Sequence, residues 1–243
     1  MTGNSSPTTN RPDSIVLIAG TATEIGKTWV ATRLITELRT RQIHVQARKP
    51  AQSFHPQDPT TDADLLAQAS GEDPRSVCPE HRCYAVEMAP PMAADSLGRS
   101  AITLAELADE LSTSWTPTPL SALPAESGCP LGCIELAGGL WSPIAHDGDC
   151  LDLAKLLSPE LVILVADAGL GTINAIRPAV AALAEVAPVS VFLNRFDSTA
   201  ELHDRNRMWL EQKCQIDATT SISQLADELL RVVGTPSPTA PAT

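Results

Sequence analysis

Gly20-Thr21-Ala22-Thr23-Glu24-Ile25-Gly26-Lys27-Thr28 is the stretch that decides the fold. It follows the apolar run Ile15-Val16-Leu17-Ile18 and opens a helical pattern of apolar residues at Trp29, Val30, Leu34, Ile35 and Leu38. Strand, glycine-bounded loop, Gly-Lys-Thr and helix, in that order, make a phosphate cradle. The loop's N–H groups and the positive end of the helix face a polyphosphate. Lys27 is then placed to reach the β- and γ-phosphates, and the Thr28 hydroxyl to bind Mg²⁺. The usual G-x-x-x-x-G-K-[ST] pattern has its first Gly where Thr21 stands; here Gly20 sits one place earlier. A bare Gly-Lys-Thr can also mark a plain turn before a helix, but the flanking strand and helix argue for the cradle.

Working outward, the 243 residues suit one substantial α/β domain, and 43% hydrophobic residues are enough to bury a core. A formal net charge of -12 and the lack of any basic block argue against nucleic acid or an anionic membrane as partner. No apolar run is long enough to span a bilayer. Residues 1–13 are polar and read as a disordered lead-in without a secretory h-region; 235–243 read as a disordered tail. The domain is expected over 14–234, with a Ser/Thr/Pro-rich loop at about 112–130. Six cysteines without a signal peptide suggest a reduced, cytoplasmic chain. Cys78/Cys83, with His81 between them, and Cys129/Cys133 invite a metal reading, but C-x4-C and C-x3-C are not the tight spacings of structural zinc sites, so free thiols are favoured.

Strand-like runs recur at 43–47, 161–166 and 189–193, and a weaker one, interrupted by Gly132, at 131–135. Helical patterns cover about 62–70, 103–112, 173–186 and 221–232. Near-continuous apolar strands alternating with helices predict a mostly parallel sheet with helices on both faces, of the P-loop NTPase kind. Ligands of such sheets bind at the carboxyl ends of the strands. The polar residues that follow each strand are the Thr23 loop, Lys49 with Ser53, Glu135 with Gly138-Gly139, Asp167 with Gly169-Leu170-Gly171-Thr172, and Asn194. Asp167 reads as an Asx-turn residue rather than a catalytic one.

With these residues laid out, the chain resembles the dethiobiotin synthetase family. The family's G-T-x-T-x-x-G-K-T loop is matched by Gly20 to Thr28, including the displaced first Gly. Its Lys-Pro with a Ser four residues past the Lys is matched by Lys49-Pro50 and Ser53, and its helix-opening Asp by Asp62. The E-G-A-G-G signature resembles Glu135-Leu136-Ala137-Gly138-Gly139, the G-x-I-N turn resembles Gly171-Thr172-Ile173-Asn174, and Asn194 stands for the strand-end Asn that reads adenine. The likeness covers about 15–197.

The resemblance implies an ATP- and Mg²⁺-dependent cyclo-ligase of biotin synthesis. It closes a cyclic urea from a diamino carboxylic acid, 7,8-diaminononanoate, and CO₂ or bicarbonate. Lys27 and Lys49 would hold the γ-phosphate and the carbamate oxygens, with Thr23 and Ser53 as hydrogen-bond donors. Thr28, Asp62 and Glu135 would hold Mg²⁺. Gly138, Ser53 and the Gly171, Thr172, Asn174 turn would bind substrate, the turn coming from the other subunit of a homodimer.

Four features depart from the family. Leu136 replaces the signature's first Gly, where its side chain would crowd the pocket; Ala175 replaces a His; the strand before Glu135 is broken; and 195–219 lacks the segment that closes over the base. The alternatives are a divergent non-catalytic or regulatory paralogue, or a P-loop ATPase with another substrate. A partitioning ATPase would carry an extra Lys early in the loop, where Thr21, Ala22 and Thr23 stand. An amide-forming relative would need a glutaminase domain for which the chain is too short.

Overall fold

The computed structural model describes residue 12, residues 14–116 and residues 131–234. The expected lead-in, the 235–243 tail and most of the Ser/Thr/Pro-rich loop lie outside the described residues.

The chain runs β1 (Ser14–Gly20), α1 (Lys27–Thr40), β2 (Val45–Arg48), β3 (Gln52–Ser53), α2 (Asp62–Ser70), α3 (Pro74–Val77), β4 (Cys83–Tyr84), α4 (Pro90–Ser96) and α5 (Leu104–Thr113). Then follow β5 (Leu131–Glu135), β6 (Pro143–Ala145), β7 (Gly148–Asp149), α6 (Cys150–Leu157), β8 (Leu161–Asp167), α7 (Thr172–Leu183), β9 (Val189–Asn194), α8 (Glu201–Cys214), β10 (Ala218–Thr219) and α9 (Ile222–Val233). Among the described residues one six-stranded sheet has the order β10-β9-β8-β1-β5-β2, and every pairing in it is parallel.

The sheet is covered on both faces because successive residues of a strand point to opposite sides. Ile15, Leu17 and Ala19 of β1 join one hydrophobic cluster, with Val162 and Leu164 of β8, Leu107 of α5, Leu153 of α6 and Ile176 of α7. Val16 and Ile18 join the other, with Ile163, Leu34 and Leu38 of α1, Leu66 of α2 and Leu225 and Leu229 of α9. Apolar residues needed on both sides are why these strands lack alternation. The 161–166 and 189–193 runs do form a β-α-β unit around α7, and all four expected helices are present within a few residues of their expected ends.

Two expectations are corrected. β5 lies in the middle of the sheet between β1 and β2, and all five of its residues are buried. Gly132 does not break it: a Cβ there would lie 2.9 Å from the Trp115 ring, so the Gly admits that indole against the strand. Trp29 belongs to no core cluster and is 49% exposed. Among the described residues no helix is long and apolar enough to cross a membrane.

Candidate active site

The 20–26 loop joins β1 to α1. Thr21 N–H donates to Val165 of β8 at 3.0 Å, which ties the loop to the sheet. Gly26 is the N-cap of α1 at φ 91°, and no side chain caps the helix, so its first-turn N–H groups keep their donor capacity. A Cβ at Gly26 would lie 2.1 Å from Asn194 Nδ2; a Gly is needed for both the left-handed turn and the close approach.

Lys27, Thr28, Lys49, Ser53, Asp62, Glu135, Thr23, Glu24 and Gly138 all line one cleft of about 590 Å³ at the carboxyl edge of the sheet. Gly20, Thr21 and Ile25 form the loop behind it. Each side chain arrives on the end of an element: Lys49 just after β2, Ser53 at the end of β3, Asp62 at the start of α2, Glu135 at the end of β5. Thr61 and Asp64 close a capping box that fixes the start of α2 and so aims Asp62.

At the floor of the cleft, Lys49 Nζ lies 2.6 Å from Glu135 Oε1 and 2.7 Å from Asp62 Oδ2. Thr28 Oγ1 lies 2.8 Å from Glu135 Oε1 and 2.9 Å from Asp62 Oδ1. A hydroxyl has one proton, so it donates to one carboxylate at a time. Burial works against the Lys49 charge, but the Glu135 and Asp62 carboxylates outweigh it and hold the ammonium well above its ordinary value. Asp62 is pushed upward by its surroundings and pulled further down by Lys49, and stays below the usual carboxylate range. Among the described residues Lys27 has no such close carboxylate partner. Burial leaves its ammonium below the ordinary value although Glu135 pulls upward, and its Nζ donates to the Ala22 carbonyl at 3.2 Å.

Two polar atoms at this floor are buried without a hydrogen-bond partner among the described residues: Glu135 Oε2 and Ser53 Oγ. Native structures seldom leave such atoms alone, and a ligand is one explanation. Two carboxylates and a hydroxyl are a hard-oxygen donor set that fits Mg²⁺. Ser53 Oγ has a free donor for phosphate or carbamate oxygen.

Leu136 does not crowd the cleft. Its side chain is 1% exposed inside the core cluster, and its N–H donates to Ile18 of β1. Strand alternation sends it to the opposite side from Glu135. Asp167 Oδ1 accepts from Gly169 N–H at 2.8 Å, the Asx turn expected of it. The Gly171, Thr172, Asn174 turn lines neither this cleft nor the next one. Thr172 is 5% exposed, and its hydroxyl donates to the Asp167 carbonyl, so the hydroxyl serves the turn.

Asn194 lines a second cleft of about 440 Å³, on the other side of Gly26, with Trp29, Phe192, Arg195, Phe196 and Thr220. Its Nδ2 donates to the Ile25 carbonyl at 2.9 Å, so one amide N–H already holds the loop. Pairing both amide edges with a base, as the residue type allows, is reduced to the carbonyl and the second N–H. Trp29 and Phe196 were missed by sequence reasoning. The signal available was Trp29 itself, a large aromatic directly after Lys27-Thr28.

The parallel sheet, the glycine loop capping α1 and the Lys-carboxylate floor define a P-loop nucleoside triphosphate-binding protein. A family model described as an AAA domain matches residues 14–234. The ATP-dependent dethiobiotin synthetase BioD of Haloferax mediterranei is 34% identical over 199 residues, 80% of this chain and 78% of that protein. The enzyme of the same name from Anaeromyxobacter dehalogenans (strain 2CP-C) is 35% identical over 161 residues, 65% of this chain and 66% of that one, just under two thirds of its length. The chain belongs to the dethiobiotin synthetase family. Among solved structures, a DUF1611 family protein from Anabaena variabilis ATCC 29413 aligns with TM-score 0.48 and 17% identity over 91% of this chain and 57% of that one.

Proposed function

We propose that this protein is an ATP-dependent cyclo-ligase that forms the ureido ring of dethiobiotin from 7,8-diaminononanoate and CO₂ or bicarbonate. The observation that carries the reading is the floor of the cleft: Thr28, Lys49, Asp62 and Glu135 within 2.6–2.9 Å contacts, with Glu135 Oε2 left over. Family membership supports ATP as the phosphoryl donor.

In this reading the α1 N-terminus and Lys27 hold the β- and γ-phosphates. Lys27, kept from full hydration, gains most when a phosphate arrives to pair it. Thr28, Asp62 and Glu135 hold Mg²⁺, which when bound neutralises phosphate charge. Lys49 and Ser53 orient the carbamate oxygens opposite the γ-phosphoryl group, and Thr23 and Gly138 close the same wall. Phosphoryl transfer needs mainly such positioning and charge compensation. The nucleobase lies in the second cleft, against Trp29 and Asn194.

The Gly171, Thr172, Asn174 turn serves the partner's substrate in a homodimer. Its absence from the lining of either cleft of its own protomer and the 93% exposure of Leu170 beside it support that arrangement. The working location is cytoplasmic, and neither nucleic acid nor membrane is a partner.

The deciding experiment measures ADP release from Mg-ATP with and without 7,8-diaminononanoate and bicarbonate. Release that requires both, with dethiobiotin formed, is expected. Tight ATP binding without diamine-dependent release would overturn the reading and favour a non-catalytic paralogue. Lys27→Ala is expected to abolish ATP turnover in the same assay.

A further inference from the structure

Behind the cleft, on the far side of β3, two thiols face each other. Cys78 ends α3 and is 2% exposed; Cys83 opens β4 and is partly exposed. Their sulfurs are 3.7 Å apart and share a hydrogen bond. Gln52, 3% exposed on β3, joins this pair to the start of α2. Its Nε2 donates to Cys83 Sγ at 3.2 Å and lies 3.3 Å from Thr61 Oγ1, while its Oε1 accepts from Ala63 N–H at 3.0 Å. Thr61 and Ala63 flank Asp62. The thiol pair and the residue that faces the cleft are thus linked by two hydrogen bonds and one peptide bond.

We propose that Cys83 is a hydroperoxide-reactive thiol that Cys78 resolves to a disulfide, and that this bond loosens the first turn of α2. The chemistry balances with the hydroperoxide as oxidant. Cys83 sulfur attacks the terminal peroxide oxygen; an S–O bond forms, the O–O bond breaks, and the departing alkoxide or hydroxide takes up a proton. Cys78 sulfur then attacks the Cys83 sulfenic sulfur; the S–S bond forms, the S–O bond breaks, and the Cys78 proton leaves with hydroxide as water. Two thiols and one hydroperoxide give one disulfide, one water and one alcohol, or a second water from hydrogen peroxide.

The surroundings favour this order. Cys83 is the partly exposed sulfur of the pair, and its contact with Cys78 and the hydrogen bond that Gln52 donates to it hold its thiol below the ordinary value, so it is the nucleophile. The same contact with Cys83, together with burial, holds Cys78 protonated, a restraint that ends once Cys83 carries a neutral sulfenic group. Cys133 and Cys150 are buried, and burial pushes each up to about 12, so neither competes. An S–S bond of about 2.05 Å must close the 3.7 Å gap between the sulfurs, and in the proposed device Cys83 Sγ makes that movement and leaves its 3.2 Å contact with Gln52 Nε2. A buried amide then loses an acceptor at the anchor of α2.

The test treats the full chain with hydrogen peroxide and reads two signals. Non-reducing peptide mapping should find Cys78 linked to Cys83, reversibly with a dithiol reductant. Cys78→Ser should instead accumulate sulfinic acid at Cys83. Hydrogen exchange in the peptide spanning 61–66 should become about three- to tenfold faster on oxidation, the range expected for one lost hydrogen bond. Peroxide-treated Cys83→Ser should exchange as its own untreated form does. Oxidation confined to Cys214, or a linked pair with unchanged exchange at 61–66, would overturn the proposal. Neither signal depends on nucleotide binding, so failure here and failure of the ligase reading are separate results.

Discussion

Lys49 is a charge that the protein interior disfavours and two carboxylates retain. Removing it leaves Glu135 buried without its ion-pair partner, and breaking a buried pair in this way costs about 3–5 kcal/mol. Lys49→Ala is therefore expected to lose ATP turnover and to unfold at markedly lower denaturant concentration. Trp29 is the opposite case, an apolar side chain with little cover of its own and the Arg33 guanidinium 5.6 Å from its ring centroid. Base–aromatic stacking is worth about 1–3 kcal/mol. Trp29→Ala should raise the KM for ATP about tenfold, with kcat little changed and with inhibition by inorganic tripolyphosphate unaffected. An unchanged KM would take the base out of that cleft. The floor residues were legible because each is a polar residue directly after a strand or at the start of a helix. Trp29 was not, because an aromatic residue at helical spacing reads as core, and only the surroundings of the helix decide which face is covered. Leu136 was misjudged for a related reason. A signature compared letter by letter does not say which side of the sheet a side chain enters.

At the scale of elements, α2 matters because it presents Asp62. The Thr61–Asp64 capping box holds its first turn, and losing a cap costs about 1 kcal/mol. Thr61→Ala should show that loss in stability together with a weaker Mg²⁺ dependence of turnover, since the carboxylate is no longer held. β5 owes its central place to a Gly. Gly132→Ala drives a methyl group into the Trp115 ring and should cost about 1–3 kcal/mol in equilibrium unfolding. Sequence reasoning took that Gly as a break, because nothing local reveals an indole arriving from the end of α5. It missed α8 altogether. Of its 14 residues only Asn206 and Leu210 are buried, so almost no apolar periodicity exists to be seen. The unmatched 195–219 stretch is therefore mostly a solvated helix.

Over the whole molecule, the sheet order β10-β9-β8-β1-β5-β2 collects the strand ends that carry the site. The parallel architecture was legible from the near-continuous apolar runs of β1, β8 and β9, which a sheet covered on both faces requires. Folding and the site are coupled through charge. Asp62 has a folded value below its unfolded one, so its contribution to stability is full above the ordinary carboxylate value of about 3.9 and is lost as pH falls through the depressed value. The stability difference between the wild-type chain and Asp62→Asn, followed by urea midpoints, should be present at neutral pH and shrink below about pH 4.

The Lys49 ammonium has one more consequence. It sits between the same two carboxylates that a divalent cation would use, so half of the negative charge at the resting floor is already compensated. A metal arriving alone must displace an internal counter-ion, whereas one carried in on a triphosphate brings anions toward which the lysine can swing. Under the ligase reading proposed above, this sets an order of loading, nucleotide and metal together. Calorimetry should find Mg²⁺ alone binding feebly to the wild-type chain, and only a nucleotide should release the latch.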